Sequence, residues 1–93
     1  KNMKRPHETH GPRVMVIDDE AVACREIRRG LQKDNCLVEV FHDGESALRR
    51  LSTGRFDLVL CDLRLPGING LQVLKEAKRH SPQTEVIVIT AYS

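Results

Sequence analysis

This chain of 93 residues has too few cysteines for a disulfide-rich scaffold and has no long hydrophobic segment. Its three cysteines, Cys24, Cys36 and Cys61, are odd in number and show no C-x-x-C spacing, which argues against a disulfide framework or a zinc site. No apolar run reaches the roughly 18 residues of a membrane span, and residues 1–12 lack the apolar stretch of a secretory signal. These absences predict a cytoplasmic domain without membrane association, in which Cys24 and Cys61 are small core side chains.

Common nucleotide-binding and catalytic motifs are missing as well. The chain contains neither a G-x-x-x-x-G-K-[ST] phosphate loop nor a G-x-G-x-x-G turn after a strand. No Ser/His/Asp set presents itself, and neither His42 nor His80 is given a role. The net charge of +2 arises within residues 1–12, which are predicted to be a flexible leader, so residues 13–93 are neutral. A neutral domain gives no reason to expect nucleic-acid binding.

Four short apolar runs are spaced along the chain. Three of them, residues 14–17, 58–61 and 86–89, are continuous and are followed directly by a polar residue. Continuous runs of this length are typical of strands that are buried on both faces of a parallel sheet. The fourth run, residues 37–41, carries Glu39 in its middle and is predicted to lie at an edge of the sheet.

Helical periodicity separates these runs. Apolar stripes at helical spacing are formed by Ala23, Cys24, Ile27 and Leu31, by Ala47, Leu48 and Leu51, and by Leu71, Leu74 and Ala77. Asp43 and Asn69 precede the second and third stripes and are predicted to be N-caps. The order β-α-β-α-β-α-β predicts an α/β fold with a doubly wound parallel sheet, because parallel strands need crossover helices.

Polar residues stand directly after three of the predicted strands: Asp18 and Asp19 after the first, Asp62 after the third and Thr90 after the fourth. In an open parallel sheet, ligands bind beyond the carboxyl ends of the strands. Three carboxylates held together repel one another, and a bound Mg²⁺ offsets this repulsion. A carboxylate can also act as the nucleophile in phosphoryl transfer. A single aspartate after a strand is more often a turn residue, so the prediction depends on the joint pattern.

Three stretches carry a resemblance to a known family: VMVIDDE (14–20), DLVLCDLRLPGINGL (57–71) and VIVITAYS (86–93). They resemble the receiver domains of bacterial two-component response regulators, and more narrowly the receivers of σ54-dependent transcriptional activators. The resemblance covers residues 13–93 and implies a flavodoxin-like fold. It further implies a phospho-acceptor signalling domain that takes a phosphoryl group from a sensor histidine kinase and switches an output domain.

The resemblance also implies a role for each site residue. Asp62 would be the phosphoacceptor, in a reaction that the protein itself catalyses with Mg²⁺. Asp19 and Asp62 would bind the Mg²⁺ through their side chains, Asp18 would help through water, and the backbone carbonyl of Arg64 would be a further ligand. Thr90 would contact the phosphoryl group.

Three smaller residues near the site are also singled out by the resemblance. Ala91 would leave room beside the phosphoryl group, and Pro66 and Gly70 would shape the loop after the third strand. Simple turn chemistry explains Pro66 and Gly70 equally well.

The family pattern continues beyond Ser93 with one more helix-strand-helix unit, whose strand carries a phosphate-binding lysine in relatives. The chain is therefore interpreted as a partial receiver domain. Without a neighbouring strand, residues 86–89 form an apolar edge, which favours a homodimer or a longer parent protein.

Two alternative functions stay open. A pseudo-receiver would keep the fold as an interaction module without phosphorylation. A phosphohydrolase with an aspartyl nucleophile would need an Asp-x-Asp pair after the first strand, where this chain has Asp18, Asp19 and Glu20 in succession.

Overall fold

The computed structural model describes residues 11–90, so most of the predicted leader and Ala91 lie outside the described residues. Strands and helices alternate in the predicted order. They are β1 (Arg13–Ile17), α1 (Ala21–Lys33), β2 (Leu37–Phe41), α2 (Gly44–Leu51), β3 (Leu58–Asp62), α3 (Gly70–His80) and β4 (Glu85–Ile89).

The described strands form one parallel sheet in the order β2-β1-β3-β4. Met15 of β1 lies opposite Glu39 of β2 on one side and Val59 of β3 on the other, which makes β1 an interior strand. β2 forms one edge, as Glu39 predicts. Each β-α-β connection links parallel strands, and the doubly wound α/β class is therefore confirmed.

Helices cover the sheet on both faces because successive strand residues point to opposite sides. On one face, Cys24 of α1 packs with Val14, Val16 and Val38. The core of the other face is formed with α2 and α3 by Met15, Ile17, Ala47, Leu51, Phe56, Val59, Cys61, Val73 and Ala77. Full burial of each larger apolar side chain contributes about 1.5–3 kcal/mol. This packing fixes the strand ends from which the polar residues project.

Both predicted N-caps are confirmed. The Asp43 side chain accepts a hydrogen bond of 2.7 Å from the Ser46 amide at the start of α2. The Asn69 side chain accepts one of 3.0 Å from the Gln72 amide, and the Gln72 side chain accepts one of 3.0 Å from the Asn69 amide. This reciprocal pair is a capping box, and it sets where α3 begins.

The predicted apolar stripe of α3 is wrong at its first position. Leu71 is 55% exposed, whereas Val73, which the stripe omitted, is completely buried. The helix begins at Gly70, so its inward face is formed by Gly70, Val73 and Ala77 at spacings of three and four residues. Leu71 lies outside that face.

Burial on both faces, which the apolar pattern of residues 86–89 predicts, is wrong for the described chain, whereas the predicted apolar edge is confirmed, because β4 is an edge strand of the described sheet. Val86 packs against the core shared with α2 and α3. Ile87 and Ile89 are 49% and 42% exposed, because α1 does not extend over β4.

The cysteine predictions agree with the structure. Cys24 and Cys61 are buried, Cys36 is half-buried, and none of them forms a disulfide. Within residues 11–90, no helix combines the length and the apolar character that crossing a membrane requires.

Candidate metal centre at the carboxyl end of the sheet

The carboxyl ends of β1 and β3 bring three carboxylates together. Ligand oxygens of Asp18, Asp19 and Asp62 all lie within 4.8 Å of one another. Asp18 and Asp62 are half-buried, while Asp19 is exposed. Asp62 is 43 or more positions from Asp18 and Asp19 along the chain, and it meets them because β1 and β3 are adjacent parallel strands with Ile17 opposite Cys61.

Backbone amides hold two of these carboxylates. The Glu20 amide donates to Oδ1 of Asp18 at 2.9 Å, and the Arg64 amide donates to Oδ1 of Asp62 at 3.2 Å. The Asp18 amide in turn donates to the carbonyl of Phe41 at 3.0 Å, which ties the turn after β1 to the end of β2. In both carboxylates these bonds engage Oδ1, and a carboxylate has a second oxygen that can serve as a ligand.

The loop after β3 approaches the site closely, and Gly70 permits this. A Cβ atom on Gly70 would lie 2.5 Å from the carbonyl oxygen of Asp62 and 2.9 Å from the Cα of Leu63. The Gly70 amide donates to the Leu63 carbonyl at 2.9 Å, and the Leu63 amide donates to Ile89 of β4 at 2.8 Å. Gly67 has φ of 74°, a left-handed conformation that favours glycine. Both glycines therefore shape the backbone that carries Asp62.

The electrostatics of the site are set by its three clustered carboxylates. Desolvation raises the pKa of Asp18, the hydrogen bond from Glu20 opposes that shift, and repulsion from Asp62 and Asp19 adds to it. Beneath the cluster, burial raises the pKa of the Cys61 thiol to about 12, with further contributions from the charges of Asp62 and Asp18. Cys61 is therefore a neutral core residue and not a nucleophile.

The carboxylates line an open cleft of about 350 Å³. Thr90 directly follows β4 and lines the same cleft, so the structure brings it together with the three predicted carboxylates. The remaining lining residues are Glu20, Ala23, Leu63 and Arg64. An adjoining cavity of about 210 Å³ is walled mainly by apolar side chains, including Ile27, Leu60 and Ile89. The cleft is polar at its mouth and apolar at its side.

This donor set suits Mg²⁺ better than a transition metal. The three converging ligands are carboxylate oxygens, and among residues 11–90 neither a histidine nor a cysteine lines the cleft. Mg²⁺ is typically bound by one or two carboxylates and keeps several waters, and an open cleft leaves room for them. The pKa of Asp18 is raised chiefly by desolvation and further by repulsion from the neighbouring carboxylates, and a divalent cation would relieve that repulsion.

Comparison with known proteins identifies the family. Residues 14–93 match the family model of the response regulator receiver domain. The chain belongs to this family. Receiver domains of response regulators are phosphorylated on an aspartate by histidine kinases, and the predicted class of signalling domain is confirmed.

The similar receiver domains occur in longer proteins. Response regulator ArlR of Staphylococcus saprophyticus is 35% identical over 81 residues, which are 87% of this chain and 36% of ArlR. Transcriptional regulatory protein ZraR of Klebsiella oxytoca is 35% identical over 80 residues, which are 86% of this chain and 18% of ZraR. This chain spans well under half the length of either relative. The narrower resemblance to σ54-dependent activators stays a prediction.

Solved receiver structures have the same fold. TrrA of Thermotoga maritima, solved in complex with Mg²⁺-BeF, matches with a TM-score of 0.84 and 34% identity, covering 89% of this chain and 72% of TrrA. A complex of histidine kinase ThkA with TrrA gives a TM-score of 0.82 at the same identity and coverage. The flavodoxin-like receiver fold predicted from the sequence is therefore confirmed.

Several residues around the cleft were not predicted from the sequence. Glu20 and Leu63 line it although no role was predicted for them, and the acidic run after β1 was the only signal for Glu20. His42, also given no role, lies with its Nδ1 2.9 Å from the carbonyl oxygen of Asp18. No local sequence pattern predicts that contact, because it joins residues that follow two different strands.

Proposed function

We propose that Asp62 is the phosphoacceptor of this receiver domain. The proposal depends on one observation, the convergence of Asp18, Asp19 and Asp62 within 4.8 Å in an open cleft. Asp62 is the last residue of β3, which pairs with β1 at the centre of the sheet. Its side chain lines this cleft beside Thr90. A phosphodonor can therefore approach it from solvent while the rest of the cluster flanks it.

We further propose that Mg²⁺ is the cofactor. Asp19 and Asp62 would bind it through side-chain oxygens, Asp18 would assist through water, and the carbonyl of Arg64 would supply another oxygen. When bound, the cation neutralises negative charge on the oxygens of the transferring phosphoryl group. The complex of the relative TrrA with Mg²⁺-BeF supports this proposal.

The reaction is a nucleophilic displacement at phosphorus. An oxygen of the Asp62 carboxylate forms a bond to phosphorus, the bond from phosphorus to the donor imidazole breaks, and an aspartyl phosphate results. The leaving imidazole takes up a proton from solvent. The Thr90 hydroxyl lines the cleft and would donate a hydrogen bond to a phosphoryl oxygen. The domain catalyses this transfer to itself and has no separate substrate to turn over.

The domain is proposed to be cytoplasmic, and its proposed partners are a sensor histidine kinase and an output domain. The complex of ThkA with TrrA supports the first, and the greater length of ArlR and ZraR supports the second. The exposed Ile87 and Ile89 on β4 support a further contact there, with other residues of a longer protein or with a second copy of the chain. Sedimentation of the 93-residue chain distinguishes these two, because only the second requires a dimer.

The test is phosphorylation with a small phosphodonor and Mg²⁺. Wild-type protein is expected to gain one acid-labile phosphoryl group, detected by intact-mass spectrometry and by a phosphate-binding gel. Asp62→Asn removes the nucleophile and should abolish the gain. Asp57→Asn is the matched control, because Asp57 immediately precedes the same strand at its opposite end and an amide oxygen can still accept from Arg13.

Three results would contradict the assignment. One is equal phosphorylation of the Asp62→Asn variant and the wild type, and another is loss of phosphorylation in the Asp57→Asn variant. The third is phosphorylation of the wild type that proceeds unchanged in a chelator, which would remove the cation from the mechanism. A wild-type chain that binds Mg²⁺ but takes no phosphoryl group would instead favour the pseudo-receiver.

A further inference from the structure

His42, the residue directly after β2, contacts the turn that carries the first two carboxylates. Its Nδ1 atom lies 2.9 Å from the backbone carbonyl oxygen of Asp18. The preceding residue, Phe41, accepts a hydrogen bond of 3.0 Å from the Asp18 amide. Both backbone groups of Asp18 are thus bonded to the end of the edge strand β2.

The chemistry of the two atoms fixes the direction of the bond. A carbonyl oxygen can only accept, so Nδ1 of His42 carries the proton. The neutral ring is therefore the Nδ1–H tautomer, since the bond that one ring nitrogen makes sets where the proton resides. The Sγ of Cys24, 3.9 Å from Nδ1, is a longer and weaker contact, and Cys24 itself donates to the Asp18 carbonyl at 3.3 Å.

We propose that His42 is a positioning residue for the cation site, an inference that rests on the proposed function of the acidic cluster. The turn after β1 must hold Asp18 and Asp19 close to Asp62 although the three charges repel one another. A donor on the Asp18 carbonyl resists the rotation of this turn that repulsion would otherwise cause. The ring itself is exposed, so its bond orients the turn without contributing to the apolar core.

The expected change in Mg²⁺ affinity is that of losing a single hydrogen bond. Outer-shell partners that orient metal ligands contribute to metal affinity, and one ordinary hydrogen bond corresponds to about a fivefold change in binding. Loss of the His42 donor is expected to weaken Mg²⁺ binding by about that factor. It should leave the unfolding temperature nearly unchanged, because no buried group is lost.

The first measurement uses the 93-residue wild-type chain without metal. Nitrogen-15 NMR of the histidine rings, at a pH where they are neutral, should show His42 as the Nδ1–H tautomer. A through-bond coupling from that nitrogen to the Asp18 carbonyl would identify the partner directly. An Nε2–H tautomer for His42 would overturn the proposal whatever the affinity of the site.

The second measurement is Mg²⁺ titration of variants by calorimetry. His42→Ala should bind about fivefold more weakly than the wild type. His42→Asn should recover most of the affinity, since its amide N–H can donate from nearly the same position as Nδ1. The matched control is His80→Ala, which removes the exposed last residue of α3 and should bind like the wild type.

The outcomes separate this proposal from the one on which it rests. A wild-type chain with no Mg²⁺ affinity would refute the cation site and, with it, the role of His42. If the wild type binds Mg²⁺ and His42→Ala binds it equally well, only the positioning role fails. The same holds if His42→Asn is as weak as His42→Ala, because the donor would then not be the cause.

Discussion

Charged side chains are arranged in opposite ways at the two ends of the sheet. The carboxyl end gathers Asp18, Asp19 and Asp62, and the contacts made by Asp18 and Asp62 are backbone amides that leave their charge in place. At the amino end, Arg50 donates two hydrogen bonds of 2.8 and 2.9 Å to the carboxylate of Glu39. Charges there are paired with their opposites.

Further polar and charged groups at the amino end of the sheet have partners. The guanidinium groups of Arg13 and Arg50 lie 5.5 and 5.3 Å from the centroid of the Phe56 ring, at distances where cations are attracted to aromatic faces. Thr84 is 2% exposed and donates to the Phe56 carbonyl at 2.8 Å. Lys78 donates to the carbonyls of Pro82 and Thr84.

The difference shows where the fold carries stability and where it carries function. An end whose polar groups are paired lowers the free energy of the folded state on its own. An end whose like charges face each other raises that free energy until a ligand compensates them, and functional sites are commonly built this way. Substitutions that act on stability at one end and on binding at the other can test this division.

The largest expected effect is that of Gly70→Ala at the carboxyl end. The added Cβ would lie 2.5 Å from the Asp62 carbonyl oxygen, and the obstacle is backbone that cannot rotate away. We expect a loss of about 2–3 kcal/mol in the free energy of unfolding, measured by urea denaturation. Mg²⁺ affinity should fall as well, because the displaced backbone carries Asp62.

Gly30→Ala is the control for this substitution. Gly30 is an exposed position inside α1, and a Cβ there would meet nothing within 4 Å. The variant should be more stable than the wild type by about 0.5–1 kcal/mol, because alanine loses less backbone entropy in a helix. Equal stability of the two glycine variants would refute the close approach at Gly70.

The next effect is that of Thr84→Val at the amino end. Valine keeps the shape but removes the hydroxyl that donates to the Phe56 carbonyl and lies 2.9 Å from the Ser81 hydroxyl. An unsatisfied buried acceptor should cost about 1–2 kcal/mol in urea denaturation. Phosphorylation of the folded variant should match that of the wild type. A fall in phosphorylation without a fall in stability would break the proposed separation of the two ends.

Sequence patterns predicted those features of the fold that depend on local chemistry. Three continuous apolar runs indicated three of the strands, and Asp43 and Asn69 indicated two helix starts, because a cap bonds to amides of its own first turn. The α3 stripe failed since Leu71 and Val73 are both apolar, and only contact with the core selects between their faces. Periodicity alone does not fix the rotation of a short helix.

Those parts of the site that follow from the order and direction of the strands could be predicted from the sequence. The convergence of Asp18, Asp19 and Asp62 follows from the rule that parallel strands end at the same side of a sheet. The contact of His42 with the Asp18 carbonyl has no such rule behind it. It requires the register of β1 and β2, in which Ile17 lies opposite Phe41, and register is a property of the assembled sheet.

A smaller effect is expected from Asp18→Asn in metal-free protein. The pKa of Asp18 is raised, chiefly by desolvation and secondarily by repulsion from Asp62 and Asp19. A carboxyl group whose pKa is higher in the folded than in the unfolded state destabilises the fold at neutral pH. This destabilisation disappears as the pH falls through the raised pKa. The variant should therefore be more stable than the wild type at pH 7 in a chelator, and equal to it in acid. A variant less stable at pH 7 would show that the charge of Asp18 does not destabilise the fold.

The smallest effect is that of Glu39→Gln, and its pH dependence should have the opposite sign. The hydrogen bond from Arg50 lowers the pKa of Glu39, with the charges of Arg50 and Arg13 adding to it. The ionised carboxylate therefore stabilises the fold above the ordinary pKa of about 4.5, and this contribution is lost as the pH falls through the lowered value. Solvent screens the pair, since about a third of each side chain is exposed, so the difference in urea denaturation should be modest.

Wild type and variant should differ at pH 7 and converge in acid, with the variant the less stable at neutral pH. If both Asp18→Asn and Glu39→Gln shifted the stability at pH 7 in the same direction, the contrast between a repulsive and a paired end of the sheet would not hold.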